Sequence, residues 1–214
     1  VPFSEKKFTQ IVQELCEKNK YANATVRTVI TGGETKDGVH FRGNTQGVFI
    51  TTAPFHALPK KIYEAGVVLE TLEHQRDFPH AKTTNYIAAI KWHNAPRIKQ
   101  VFDALYVYEG KVLEATTSNF FIVKGNTIIT PKKNVLHGIT RNVVIALAKK
   151  TYRVVERDIT LREVRGADEA FLTATNKDIV PVVMIDGKKI GIGKPGRRTK
   201  ALMHAFADYV KSTK

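Results

Sequence analysis

Four short segments hold residues whose types and spacing could do chemistry. The first is Ala81-Lys82-Thr83-Thr84-Asn85-Tyr86, with a lysine that could act as an amine nucleophile. About thirty residues on comes Val112-Leu113-Glu114-Ala115-Thr116-Thr117-Ser118-Asn119, in which Glu114 closes a strand and offers a carboxylate. Gly138-Ile139-Thr140-Arg141 reads as a helix start, whose free N–H groups and partial positive charge suit an anion. The fourth is Thr173-Ala174-Thr175-Asn176, at the end of a β-rich run. Taken singly, each has an ordinary reading: a surface lysine, a strand-end glutamate, a simple cap, a polar loop. In this order they supply an amine, an acid and an anion cradle.

That order and wording resemble the fold-type IV enzymes dependent on pyridoxal 5'-phosphate: branched-chain aminotransferases, D-amino-acid aminotransferases and aminodeoxychorismate lyases. By this resemblance Lys82 forms the Schiff base with the cofactor and shuttles the substrate proton. Glu114 faces the pyridine nitrogen and Tyr86 bonds the phenolic oxygen. Ile139, Thr140 and Thr175 bind the phosphate. The backbone at Thr175 and Asn176 meets the substrate carboxylate, and Arg27, in Thr25-Val26-Arg27-Thr28, matches an active-site arginine of the branched-chain group. Ala115 and Ala174 stand where the family often has glycine, and Thr25 where the branched-chain group has tyrosine. The run Gly191-Ile192-Gly193-Lys194-Pro195-Gly196 resembles the family's closing turn. Members usually carry several tens of residues before the Ser4 helix, including an arginine that grips the phosphate; the expectation is therefore a small domain incomplete at its start. Arg141, Lys132 and Lys133 are the candidates to replace that charge.

The implied activity is transamination between a branched-chain-type amino acid and a 2-oxo acid. Aminodeoxychorismate lyase and D-amino-acid aminotransferase are the alternatives on the same scaffold, and a catalytically idle truncated homologue is the alternative from another class. The resemblance also implies a homodimer.

The elements that must position these residues read as an α+β chain. Ser4 can cap a helix to about Lys20, with Phe8, Ile11, Val12 and Leu15 on one buried face. Strands are predicted at 25–31, ending at Gly32-Gly33, and at 47–52 after a turn at Gly43-Asn44. Pro59 starts a short helix that Gly66 stops, and 67–72 is strand-like. Beyond a polar stretch at 77–80 the predicted elements are a helix over 85–95, strands at 104–108, 111–114, 120–123 and 127–130, and a helix over 139–150 with Val143, Ala146 and Leu147 inward. Strands at 169–173 and 180–184 and a closing helix over 199–211 follow. Glu109-Gly110, Gly125-Asn126 and Asp186-Gly187 punctuate the hairpins. The predicted organisation is a small α+β domain, 1–78, and a larger cofactor-binding pseudobarrel domain with flanking helices, 79–214.

Bulk properties narrow the class. At 214 residues and 43% hydrophobic composition a buried core is attainable. The single cysteine, Cys16, excludes an intramolecular disulfide or a cysteine-rich metal site. No apolar run approaches a membrane span and the first residues do not read as a signal peptide; the cysteine usage is what points to a cytoplasmic protein. The net charge of +14 would attract polyanions. The lysine pairs are spread along the chain, however, and form no block that reads as a nucleic-acid arm.

Overall fold

The computed structural model describes residues 3–43, 45–96 and 101–213. The chain divides into two compact units, Val1–Ala57 and Leu58–Lys214.

In the first unit, helix α1 (Glu5–Lys18) starts at Ser4, whose hydroxyl accepts from the Lys7 N–H at 3.3 Å. Strands β1 (Ala24–Ile30) and β2 (Val48–Pro54) pair antiparallel, Arg27 opposite Thr51. The expected apolar face of α1 is only half-buried: Phe8, Ile11, Val12 and Leu15 all keep some exposure. One helix and a two-stranded ribbon do not enclose a core. Asn44, expected in a turn before β2, lies outside the described residues.

The second unit is built on one large sheet. Its strands are β3 (Val67–Glu73), β4 (Asp103–Tyr108), β5 (Lys111–Ala115), β6 (Ser118–Lys124), β7 (Thr127–Thr130), β8 (Arg153–Glu156), β9 (Ile159–Thr160), β10 (Glu169–Ala174), β11 (Asp178–Ile185) and β12 (Lys188–Lys189). The path β6-β10-β11-β3-β4-β5 returns to β6, so these strands close a ring. Alternate residues point inward. Val67 and Leu69, Leu105 and Val107, Val112, Phe120 and Ile122, Ala170 and Leu172, and Val180 and Val182 form one buried cluster drawn from all the ring's strands. At 25 cal/mol per Å² of apolar area, burying each of the Val, Leu, Ile and Phe side chains contributes about 1.5–3 kcal/mol before the entropy cost of ordering it. The hairpin turns are set by residues tolerating positive φ: Glu109 (50°) with Gly110 (72°), and Asp186 (51°) with Gly187 (74°).

Helices pack on the ring's outer face and against its interior cluster. α2 (Lys60–Ala65) runs from Pro59 to Gly66, at φ 78°. α3 (Ile87–Asn94) lays Trp92 against Ala104, Tyr106 and Leu113. α4 (Ile139–Ala148) and α6 (Arg197–Ser212) pack on Phe121 and Phe171, whose rings stack at 4.7 Å. The short α5 (Leu161–Arg165) begins with a capping box from Thr160 and Glu163. The inward face of α4 differs from the expected one. Val144, Ile145 and Ala148 are buried, Val143 and Leu147 are flanking, and Ala146 is exposed.

The unit boundary lies at 57/58, ahead of the polar stretch at 77–80. The reason is β3, which runs parallel between β11 and β4 and is needed to close the ring. α2 and β3, placed by the sequence in the small domain, therefore belong to the larger unit. No helix among the described residues is long and apolar enough to cross a membrane.

Candidate active site

Strand register brings the segments together. Glu114 lies opposite Asn119 across the β5–β6 hairpin, and Asn119 lies opposite Thr173 on β10. The start of α4 meets the same place: a Cβ on Gly138 would stand 2.5 Å from the Asn119 Oδ1. Only glycine admits this approach.

Glu114 is the centre of the arrangement, with 7% of its side chain exposed. Its Oε1 accepts from the Arg76 Nε at 2.9 Å and Nη2 at 2.8 Å. Its Oε2 accepts from the Leu136 N–H at 3.0 Å and the Asn119 Nδ2 at 3.2 Å. Burial raises the carboxyl's pKa; the Arg76 guanidinium, the Leu136 N–H and the charge of Lys82 oppose the rise. Lys82 thus acts electrostatically on Glu114 while its own side chain is exposed.

Arg76, not singled out by sequence, organises this corner. Besides Glu114 it donates to the Ala81 carbonyl at 2.9 Å, the Phe78 carbonyl at 3.4 Å and the Pro79 carbonyl. The guanidinium fork fixes the segment leading into Lys82 against the carboxylate. In sequence it is only an arginine six positions ahead of the lysine, next to the polar stretch at 77–80.

Gly138 is the N-cap of α4 and has no side chain to cap it, which leaves the first-turn N–H groups for an anion. Ile139 is 80% exposed there, and Thr140 is buried. Thr173 is buried with its Oγ1 unpartnered among the described residues, on the strand face it shares with Phe171 and hence with α4. A buried hydroxyl without a partner, a glycine-lined approach and an uncapped helix start fit a phosphate group; a buried carboxylate with an exposed amine nearby fits a protonated pyridine ring and its aldehyde.

Of the other expected residues, Tyr86 precedes α3 at its N-cap and is 37% exposed. Thr175 and Asn176 form the exposed turn between β10 and β11. Arg27 is exposed on β1 in the first unit. Arg141 is 1% exposed, its Nη2 donates to the Pro131 carbonyl (2.9 Å) and Glu156 (3.0 Å), and its Nε is unpartnered among the described residues. Lys132 and Lys133 are exposed.

A second polar cluster was missed. Asp103, at the start of β4, is 2% exposed. It accepts from the Thr116 hydroxyl at 2.6 Å and lies 3.6 Å from the His93 Nε2 and 3.8 Å from the Lys177 Nζ. Tyr106 stands between the two clusters. Burial first, then the charges of Asp103 and Glu114, push its pKa up to about 12, while Arg76 pulls it down.

A closed β ring with flanking helices, a lysine, a glutamate and a glycine-led helix start define a fold-type IV aminotransferase scaffold. Residues 1–185 match the family model for amino-transferase class IV, and the chain belongs to that family. A putative branched-chain-amino-acid aminotransferase of Methanocaldococcus jannaschii is 33% identical over 97% of this chain and 75% of its own length. The branched-chain amino acid aminotransferase of Escherichia coli superposes with a TM-score of 0.83 at 26% identity, covering 97% of this chain and 72% of that one. The T.th. branched-chain amino acid aminotransferase, solved with pyridoxamine 5'-phosphate, gives 0.82 at 26% identity, over 100% and 74%.

Proposed function

We propose that the chain is a pyridoxal 5'-phosphate-dependent aminotransferase acting on a branched-chain-type amino acid and a 2-oxo acid. The observation that carries this reading is the buried Glu114 carboxylate, held by Arg76 and felt by Lys82 beside the uncapped start of α4. Relatives support the substrate class: the similar proteins include a branched-chain-amino-acid aminotransferase of Pseudomonas aeruginosa, at 29% identity.

Bound there, the cofactor supplies an electron sink that acidifies the substrate's α C–H. Glu114 holds a proton on the ring nitrogen. Tyr86 donates to the phenolic oxygen. The Ile139 and Thr140 N–H groups, with the Thr140 and Thr175 hydroxyls, bind the phosphate. Lys82 would hold the cofactor through its amine, and the same amine, when free, would take the proton from the substrate α-carbon. The backbone at Thr175 and Asn176 would take the substrate carboxylate, and Arg27 is proposed by family resemblance as a substrate-binding residue. By family resemblance the working form is a homodimer, and the cytoplasm is the proposed compartment.

The test compares wild type with Lys82→Ala for transfer of the amino group from a branched-chain amino acid to 2-oxoglutarate. Transfer by wild type and its loss in the variant is expected. Transfer at the wild-type rate by the variant would refute the mechanism. Pyruvate release from aminodeoxychorismate without an amino acceptor would identify the lyase instead.

A further inference from the structure

The β5–β6 turn, the β10–β11 turn and the start of β4 meet at one end of the ring. Leu105 lies opposite Ala115, Ala115 opposite Ser118, and Asn119 opposite Thr173. Lys177, last residue of the β10–β11 turn, reaches into this junction with 16% of its side chain exposed. Its ammonium donates to the Thr117 hydroxyl at 2.8 Å and lies 3.4 Å from the Ser118 hydroxyl. Asp103 faces the ammonium through its Oδ2 at 3.8 Å, while its Oδ1 accepts from the Thr116 hydroxyl and the Ala104 N–H. The Phe102 ring lies 5.5 Å from the ammonium.

Lys177 is therefore a largely desolvated cation whose contact with that neighbouring carboxylate is too long for a hydrogen bond. Burial lowers its pKa and Asp103 partly restores it. A buried charge is retained at such cost when something pairs with it. Thr117, Thr175 and Asn176 around it are exposed, so an anion from solvent can reach the ammonium by displacing one hydroxyl.

We propose that Lys177 is a specificity-determining residue that binds the carboxylate shared by the amino acid and the 2-oxo acid. The proposal rests on the aminotransferase reading. In it, Asp103 is the positioning residue: too far to neutralise Lys177 fully, close enough to keep it charged and aimed at the turn.

The experiment is calorimetric titration of the protein with pyridoxal phosphate present, using 4-methylvalerate and its neutral amide as probes. Wild type is compared with Lys177→Met and Lys177→Arg. Loss of a hydrogen bond to a charged group weakens binding by about 10- to 150-fold. Lys177→Met is expected to weaken the acid by that factor, leave the amide unchanged, and raise KM for both substrates more than it lowers kcat; Lys177→Arg is expected to retain the acid's preference. If Lys177→Met fails to fold because Asp103 loses its counter-charge, Asp103→Asn with Lys177→Met is measured instead. Unchanged discrimination between acid and amide in the methionine variant overturns the assignment. Lost discrimination in a protein whose Lys82 does not take the cofactor leaves Lys177 as a carboxylate site and fells the aminotransferase reading.

Discussion

Replacing Arg76 with methionine should do more damage than its position in a surface-like polar stretch suggests. The guanidinium and the Glu114 carboxylate expose 18% and 7% of their side chains, so the pair lies in the regime where removal of one partner strands a buried charge. Such a loss costs about 3–5 kcal/mol. The carbonyls of Phe78, Pro79 and Ala81 lose their donor as well. Urea unfolding at neutral pH should show a deficit in that range. The deficit should shrink as pH falls. Glu114 already has a raised pKa, and without Arg76 it rises further. The folded state then binds the proton more tightly than the unfolded chain, so stability grows as pH drops through the folded value. Combining Arg76→Met with Glu114→Gln removes the stranded charge, and the double variant should recover at least about 1 kcal/mol relative to additivity. A loss below about 1 kcal/mol for Arg76→Met, or strict additivity, would refute the assignment of Arg76 as the clamp on Glu114.

Other substitutions probe neighbouring features. Gly138→Ala forces a Cβ to within 2.5 Å of the Asn119 Oδ1, which should cost about 1–3 kcal/mol by denaturation and weaken binding of pyridoxal phosphate. Gly191→Ala combines φ 53° with a Cβ 2.0 Å from the Asp168 carbonyl, so a lower yield of folded protein or a similar loss is expected; wild-type stability would count against the closing turn as a structural device. Thr160→Ala removes the α5 cap and should cost about 0.5–2 kcal/mol in urea unfolding. Glu163, its pKa lowered first by the Arg157 hydrogen bond, stabilises the fold above its unfolded pKa, and that contribution is lost as pH falls through the lower folded value. Glu163→Gln should flatten that part of the acid-unfolding profile.

Much of this arrangement was legible in the residues. Pro59 and Gly66 bracket α2, Glu109-Gly110 and Asp186-Gly187 turn the hairpins, and the short apolar runs of the ring strands are buried on both faces. The family likeness followed from Lys82, Glu114 and Gly138–Thr140 in order. Less visible were features fixed by closure of the ring. β3 reads like a strand of a small domain, yet register with both β11 and β4 places it in the large sheet. β8, β9 and α5 went unread because two- to five-residue elements carry too little periodicity. Asp103 and Lys177, 74 positions apart in numbering, drew no reading from the sequence; only the meeting of two turns with the start of β4 buries them together. Arg141 reads in sequence as a candidate cation for the phosphate, and its burial beside Glu156 was equally invisible there.

The central claim is that Lys82 carries pyridoxal phosphate. The direct measurement is incubation of the protein with the cofactor, borohydride reduction of any Schiff base, and mapping of the modified peptide by mass spectrometry. In a chain with 23 lysines, selectivity is the informative quantity. The account predicts stoichiometric label at Lys82, lost in Lys82→Ala and reduced in Glu114→Ala. Label absent, or spread over the exposed lysines without preference for Lys82, would contradict it.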